Sequence, residues 1–294
     1  MTTARVTGGG GSAPRALVTG ASAGLGRGYA RALAAEGFDL VLVARSAERL
    51  QALAAQLESE NGIRAEVVPA DLSQPADIAA VVEVIETRRV DVLVNNAGYG
   101  LKHGLLDSDP QDVADLDTVL AGAVRELSLA AAAGMRDRGR GGIITVSSLA
   151  ALTTMGQYAA SKAASLVFTE ALAGELRETP VTVTAVLPGF VRTEFHERLG
   201  ARRPGPGWIW LNVDDVVRTS LHDARRGRVV SIPGWQYSLV AKFARFAPRG
   251  LVRRGSQGFA FDRRHDRGSA DEVPEESREN FFGKFFSTLN DQES

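Results

Sequence analysis

Seven short apolar runs, separated by longer alanine-rich stretches, constrain the fold of this chain more than any other feature. Their residues are mostly leucine, valine and isoleucine, and they lie at 15–19, 39–44, 64–69, 91–94, 142–146, 181–187 and 228–233. The runs are apolar throughout instead of alternating, which is typical of strands covered by helices on both faces. Strands that alternate with helices pair in parallel through right-handed crossovers. The sequence therefore predicts a doubly wound α/β fold, in which helices flank a sheet of about seven parallel strands.

Length and composition favour a soluble enzyme that acts on small molecules. The 294 residues, 44% of them hydrophobic, suffice for one large α/β domain, although two smaller domains also fit. A net charge of -1 gives no general attraction to nucleic acid. Cysteine is absent, which suits a reducing compartment, and the four histidines are scattered, so no metal site is expected. With no signal peptide and no apolar run of roughly 18 residues, we expect a cytoplasmic protein.

The regular pattern covers residues 14–235, which we interpret as the catalytic domain. Residues 1–13 are predicted to form a flexible arm, and 236–294 a C-terminal extension. Between them, a segment at about 190–212 is predicted to be a substrate lid. Its apolar side chains are equally typical of a pocket for a hydrophobic substrate and of a lid packed on its own domain. They are Phe190, Val191, Phe195, Leu199, Trp208, Ile209, Trp210 and Leu211.

The extension contains two segments that predict contacts. Residues 235–254 form a basic amphipathic pattern without any acidic residue. A helix of this kind can lie on an anionic membrane surface, or can dock on its own domain or on a partner subunit. Further along, four phenylalanines between Phe281 and Phe286 predict insertion into a partner subunit, the chain's own domain or the lid.

A glycine-rich turn follows the first strand. Gly20-Ala-Ser-Ala-Gly24-Leu-Gly26 runs directly into a predicted helix. Glycines allow the backbone to approach a ligand, and the free amides of a helix N-terminus favour an anion. A strand, a glycine turn and a helix in this order predict a Rossmann-type site for a dinucleotide pyrophosphate.

The residue after the second strand indicates which dinucleotide binds. NAD-binding chains carry a carboxylate there for the adenine ribose, whereas this chain carries Arg45 followed by Ser46. A guanidinium suits a phosphate, so we predict NADP(H), with Arg45, Ser46 and Ser22 around the 2′-phosphate. The alternative is that Arg45 is an exposed arginine that begins a helix.

Tyr158 and Lys162 are four residues apart in a helical pattern, so they share one face. A nearby ammonium stabilises a phenolate and lowers the pKa of the phenol. Tyr158 could then exchange a proton with a carbonyl or alcohol oxygen. Together with the nucleotide turn, this pair predicts an oxidoreductase that interconverts carbonyls and alcohols.

Six motifs in register resemble the classical short-chain dehydrogenase/reductase family over roughly residues 14–235. They are Thr19-Gly20-xxx-Gly24-x-Gly26, Asp71, Asn95-Asn96-Ala97-Gly98, Ser147-Ser148, Tyr158-xxx-Lys162 and Pro188-Gly189. The resemblance implies that Ser148, Tyr158 and Lys162 are catalytic, and that Lys162 also binds the nicotinamide ribose.

The resemblance also implies a set of cofactor contacts. Asp71 and Leu72 would border the adenine. Asn95, Ala97 and Gly98 would support the adenosine side and the central strand, and Pro188, Gly189, Val191 and Thr193 would surround the nicotinamide. The remaining implied contacts are Thr19, Gly20, Gly24, Leu25, Gly26, Tyr158 and Lys162. Relatives pair through two crossover helices, here about 111–138 and 156–179, which implies a homodimer or homotetramer.

Two departures from the family pattern weaken the functional expectation. Where the family carries an asparagine that supports a proton-relay water, this chain has Val119 or Leu120, whose side chains cannot form hydrogen bonds. In addition, only nine residues separate Ser148 from Tyr158, fewer than usual. The leading hypothesis is an NADPH-dependent reductase acting on a hydrophobic carbonyl or alcohol substrate. The alternative is a non-catalytic NADP-binding sensor or scaffold protein.

Overall fold

A computed structural model describes residues 13–194 and 207–259 of the chain. All seven predicted strands are present, and their ends lie within a few residues of the predicted ones. They are β1 (Arg15–Thr19), β2 (Asp39–Ala44), β3 (Ala65–Pro69), β4 (Val92–Asn95), β5 (Gly141–Val146), β6 (Val181–Val186) and β7 (Val230–Ser231). Only β7 is markedly shorter than expected.

The strands form one parallel sheet in the order β3-β2-β1-β4-β5-β6-β7. The chain builds outward from β1 to β3, and then returns to place β4 on the other side of β1. In doubly wound sheets, ligands bind at such a reversal, beyond the carboxyl ends of the strands. The predicted fold class is confirmed.

Helices cover both faces of the sheet. In chain order they are α1 (Gly24–Ala35), α2 (Ala47–Asn61), α3 (Pro75–Thr87), α4 (Pro110–Asp117), α5 (Ala123–Asp137), α6 (Gly156–Glu175), α7 (Val213–Arg225), α8 (Trp235–Phe246) and α9 (Arg249–Phe259). A π-helical turn, Thr118–Gly122, joins α4 to α5. Short 3₁₀ turns occupy Leu149–Leu152 and Gly207–Ile209.

Alternate residues of most strands enter two separate cores, one on each face of the sheet. Leu17, Val41 and Leu93 pack with α3, α4, α5 and α6 on one face. Ala16 and Leu40 pack with α1, α2 and α7 on the other. Because both faces are buried, the strands need apolar residues at every position, which explains the unbroken apolar runs.

The C-terminal extension begins with two helices where one was expected. The break falls at Ala247 and Pro248. Proline lacks an amide donor and forces the preceding residue out of the helical region, and Ala247 is accordingly extended with ψ 136°. The predicted arm up to residue 12, lid residues 195–206 and the tail from 260, with Phe281–Phe286, lie outside the described residues.

One helical stretch, Pro110–Asp137, is long and apolar enough to cross a membrane by length and composition alone. Half of its most apolar window is buried inside the protein. A helix in the core of a globular domain is buried in the same way and passes the same test of length and composition.

Candidate active site

The glycine turn after β1 leaves the first amides of α1 without a side-chain cap. The helix begins at Gly24, and the preceding Ala23 offers no capping group. Gly24 has φ +52°, and a Cβ on Gly26 would lie 2.2 Å from the carbonyl oxygen of Gly20. Uncapped helix amides beside a closely approaching backbone fit the anionic pyrophosphate of a dinucleotide.

Thr19 and Asn96 hold this turn in place. The Thr19 hydroxyl accepts hydrogen bonds from the backbone amides of Asn96 at 2.9 Å and Ala97 at 3.0 Å. In return, Asn96 Nδ2 donates to the Thr19 carbonyl at 3.0 Å. Asn96 is a residue to which the sequence reasoning gave no role. The doubled asparagine was the available signal, but only the fold shows which of the two faces the turn.

Asn95 points toward the opposite side of the sheet edge. Its Nδ2 donates to the Ser128 hydroxyl at 2.8 Å, and both side chains are buried. This bond ties β4 to α5.

The predicted adenosine-side residues follow β2 and β3. Arg45 is exposed directly after β2, while the Ser46 hydroxyl caps α2 by accepting from the Arg49 amide at 3.3 Å. The Asp71 carboxylate accepts from both the amide and the hydroxyl of Ser73, at 3.1 and 2.9 Å. These bonds fix the carboxylate at the carboxyl edge of the sheet.

Two of the predicted cofactor contacts, Leu72 and Ser22, interact with other parts of the chain. The Leu72 side chain is buried in the hydrophobic core. The Ser22 carbonyl accepts from the Arg27 guanidinium at 3.2 Å.

Ser148 and Tyr158 come together at the end of β5. Their side chains share a hydrogen bond, and Ser148 Oγ also accepts from the Ala150 amide at 3.1 Å. The neighbouring Ser147 turns away and donates to the Lys162 carbonyl at 2.8 Å. Of the two serines, Ser148 is therefore the one beside the tyrosine.

Lys162 follows Tyr158 by one turn along α6, and only 5% of its surface is exposed. Its Nζ donates to the Val146 carbonyl at 2.6 Å and lies 6.0 Å from the centroid of the Tyr158 ring. The three candidate catalytic side chains thus converge at the carboxyl end of β5.

The electrostatics differ from the sequence expectation. Burial raises the pKa of Tyr158 to about 12, and its bond with Ser148 only opposes that shift. Burial also lowers the pKa of Lys162 to about 8. In the chain alone, the expected lowering of the Tyr158 pKa by Lys162 is not found, because desolvation disfavours the charged form of both groups.

The loop after β6 lines the other side of the crevice. The Pro188 carbonyl accepts from the Leu149 amide at 3.1 Å, next to Ser148, and Val191 forms a β-bridge with Leu211. Thr193 lies close to the glycine turn, since a Cβ on Gly24 would be 3.3 Å from its Cγ2. A groove of about 380 Å³ opens here, lined by Gly24, Arg27, Gly28, Arg31, Arg192, Thr193, Glu194, Val213 and Asp214.

Comparison with known proteins agrees with this geometry. A protein-family profile described as short chain dehydrogenase matches residues 14–204 of the chain. The chain belongs to the short-chain dehydrogenase/reductase family. The short-chain reductase protein NovJ of Streptomyces niveus is 39% identical over 196 residues, which cover 64% of this chain and 74% of NovJ.

Two solved structures of this family resemble the fold closely. A short-chain dehydrogenase from Sphingobium yanoikuyae in complex with NADPH has a TM-score of 0.73 and 34% identity, covering 88% of this chain and all of that one. The bulky-bulky ketone specific alcohol dehydrogenase from Comamonas testosteroni has a TM-score of 0.70 and 28% identity, covering 89% and 99% of the two chains.

As a short-chain dehydrogenase/reductase, the chain departs from the family pattern at the π-helical turn. Val119 and Leu120, one of which we predict to occupy the position of the family asparagine, are both buried. A Cβ on Gly98 would lie 2.8 Å from Leu120 Cδ2 and 3.7 Å from Lys162 Nζ. Leu120 and the Lys162 amine therefore both lie beside Gly98.

A second residue that sequence reasoning missed is Tyr237, on α8. Its hydroxyl accepts from the Phe190 amide at 3.1 Å and donates to the Ile209 carbonyl at 2.6 Å. A Cβ on Gly189 would lie 2.1 Å from Tyr237 Cζ, so the ring rests directly on the Pro188–Gly189 turn. Tyr237 thereby joins the two ends of the lid segment. No motif marked it, because the contact spans 28 residues and depends on where α8 packs.

Proposed function

We propose that this chain is an NADPH-dependent reductase that interconverts a carbonyl and an alcohol, with Tyr158 as its proton donor. The observation that carries the proposal is the convergence of Ser148, Tyr158 and Lys162 at the carboxyl end of β5, next to the sheet's reversal point. The chain's membership of an oxidoreductase family supports it.

The roles of the three side chains follow from their positions. Hydrogen-bonded to each other, the hydroxyls of Ser148 and Tyr158 can both contact one substrate oxygen, and Tyr158 gives it the proton. Lys162 would hold the nicotinamide ribose, and its ammonium favours the phenolate that remains. When bound, the nicotinamide supplies the hydride for the carbonyl carbon.

NADP(H) is the proposed cofactor because Arg45 is exposed where β2 ends, with no acidic residue in its place. The uncapped start of α1 would hold the pyrophosphate, while Asp71 and the backbone of Leu72 would border the adenine. The similar Sphingobium yanoikuyae structure is an NADPH complex, which is in keeping with this choice.

A hydrophobic substrate is proposed from the described ends of the lid segment. The Phe190 and Trp210 rings lie 5.2 Å apart, and Val191 and Leu211 form a bridge beside them. Apolar and aromatic walls suit a lipophilic carbonyl compound better than a sugar. The similar Comamonas testosteroni enzyme is named for its specificity toward bulky-bulky ketones.

The test follows NADPH oxidation against a panel of carbonyl compounds with the wild type and Tyr158→Phe. We expect turnover in the variant to fall by about 10²- to 10⁴-fold, with NADPH affinity nearly unchanged. Tyr29→Phe is the matched control, because it also removes a buried hydroxyl, one bonded to Ser220 in the core on the opposite face of the sheet from the one that Tyr158 packs against. Full activity of Tyr158→Phe would remove the proposed mechanism.

A second candidate is a non-catalytic NADP-binding sensor or scaffold. The buried apolar side chain at the position of the family asparagine, Val119 or Leu120, favours it. A protein that binds NADPH tightly but reduces no member of a broad panel would decide for this alternative.

A further inference from the structure

Helix α8 exposes a row of large apolar side chains. They recur at helical spacing along one face, as Trp235, Leu239, Val240, Phe243 and Phe246. Trp235, Phe243 and Phe246 are 75%, 70% and 84% exposed. Contiguous exposed patches of this kind mark interaction sites, whereas single exposed apolar residues do not.

The opposite face of α8 is already occupied. Tyr237 and Ala241, four residues apart, are buried against the domain. The hydrogen bonds from Tyr237 to the loop after β6 fix how the helix is turned. The apolar row therefore cannot rotate into the core without breaking these contacts, and it needs a partner outside the described domain.

The same segment concentrates positive charge. Residues 235–259 contain five cationic residues and no acidic one, although the whole chain has a net charge of -1. Lys242, Arg249, Arg253 and Arg254 are all exposed. On α9, a hollow of about 430 Å³ is lined by Pro248, Gly250, Leu251, Arg253 and Arg254. Lys242 thus lies on the same helix as the apolar row, and the exposed arginines follow on the next helix, a combination typical of segments that rest at a lipid headgroup boundary.

We propose that this surface, formed by the exposed side chains of residues 235–254, binds an anionic lipid bilayer. The aromatic row would enter the boundary between headgroups and acyl chains, and the cations would contact anionic headgroups. A second copy of the chain is a poorer occupant, because a two-fold contact through this face would bring two groups of five cations together. The inference concerns attachment to a membrane and does not depend on the proposed reaction.

Flotation of the full chain with vesicles tests the surface. We expect co-flotation with vesicles of phosphatidylcholine containing about one quarter phosphatidylglycerol, and much less with phosphatidylcholine alone. Raising the salt concentration should weaken binding, because the cations act through a screened field.

Point variants assign the binding to this face. Phe243→Ser should lower the partition coefficient about tenfold, and Arg253→Gln with Arg254→Gln roughly 30-fold. Leu106→Ser is the control, since Leu106 is fully exposed outside this surface and its loss should leave binding unchanged. All three changes are at exposed positions, so we expect the variants to fold.

Three results would overturn the proposal. The wild type could fail to float with anionic vesicles, or the variants could bind as well as the wild type, which would place the contact elsewhere in the chain. Alternatively, light scattering could show that Phe243→Ser breaks an oligomer while the wild type ignores vesicles. The face would then be an interface between copies.

Discussion

Lys162 lies in an environment that is unfavourable to its own charge. It is almost fully buried, and its Nζ donates to the Val146 carbonyl at 2.6 Å. The dipole of this carbonyl offsets only part of the hydration that the ammonium loses on burial. The neutral amine is therefore favoured, and the pKa of Lys162 falls to about 8. This environment makes Lys162 sensitive to pH in a range where proteins remain folded.

We expect Lys162 to make stability depend on pH in a particular direction. Its pKa is about 8 when folded and about 10.4 when unfolded, so the unfolded chain binds more protons between these values and stability rises with pH there. Between pH 7 and pH 10, the free energy of unfolding of the wild type should rise by about 2 kcal/mol relative to Lys162→Met. Urea unfolding at several pH values measures this difference. A difference that stays constant would mean that Lys162 is not desolvated.

Arg45 is expected to determine the choice between NADPH and NADH. Replacing it by aspartate puts a carboxylate at the end of β2, which repels a 2′-phosphate and accepts from ribose hydroxyls. We expect kcat/KM with NADPH to fall about 10- to 100-fold, and the preference to move toward NADH. Arg177→Asp changes charge equally at an exposed position after α6 and should alter neither value. An unchanged cofactor preference in Arg45→Asp would leave Arg45 as an ordinary exposed arginine.

Helix α8 contacts both described ends of the lid segment. Through Tyr237, it holds Phe190 and Ile209, which lie on the two sides of the lid residues that the structure does not describe. Helix α9 adds a contact of its own, because the Ser256 hydroxyl accepts from the Thr154 amide at 3.2 Å. The extension thus braces the short segment between Ser148 and Tyr158 as well as the lid.

Tyr237→Phe should loosen the lid segment without touching the reacting groups. We expect KM for the carbonyl substrate to rise severalfold while kcat changes little, with a loss of roughly 1–3 kcal/mol of stability. Tyr29→Phe again serves as control, since it also removes a buried hydroxyl bond but should leave KM unchanged. If both variants alter KM equally, the effect of Tyr237→Phe is one of stability alone.

The sequence predicted the elements far better than the contacts between them. The seven strands were recognisable because burial on both faces demands apolar residues throughout. Tyr158 and Lys162 were recognisable because a helix fixes the spacing of residues four apart. By contrast, the roles of Tyr237 and Asn96 depend on partners distant in the chain. The pKa of Tyr158 could not be predicted because it depends on burial, which no local pattern encodes. The break before Pro248 had a local signal, the proline itself, but the basic amphipathic pattern on both sides of it led us to expect one helix.

At the scale of the whole molecule, the exposed side of the crossover helices needs an explanation. Leu129 on α5 is 50% exposed and Val167 on α6 is 62% exposed, whereas the opposite face of each helix is buried in the domain. We propose that these helices pair two or more copies of the chain, as the family resemblance implies. Helices from two subunits packed side by side would remove these apolar side chains from water.

Charge placed at this face should therefore separate the copies. We expect the wild type to be a dimer or tetramer by size-exclusion chromatography with light scattering, and Val167→Asp to be a smaller species, because a buried carboxylate without a partner is costly. Leu106→Asp adds the same charge at a fully exposed position and should leave the assembly intact.

The Val167→Asp variant also separates the pairing of copies from the binding of lipid, because α5 and α6 do not contribute to the lipid-binding surface. Val167→Asp should keep its affinity for anionic vesicles per chain, apart from any gain that the wild type draws from several copies binding at once. A wild type that is already monomeric would rule out this pairing.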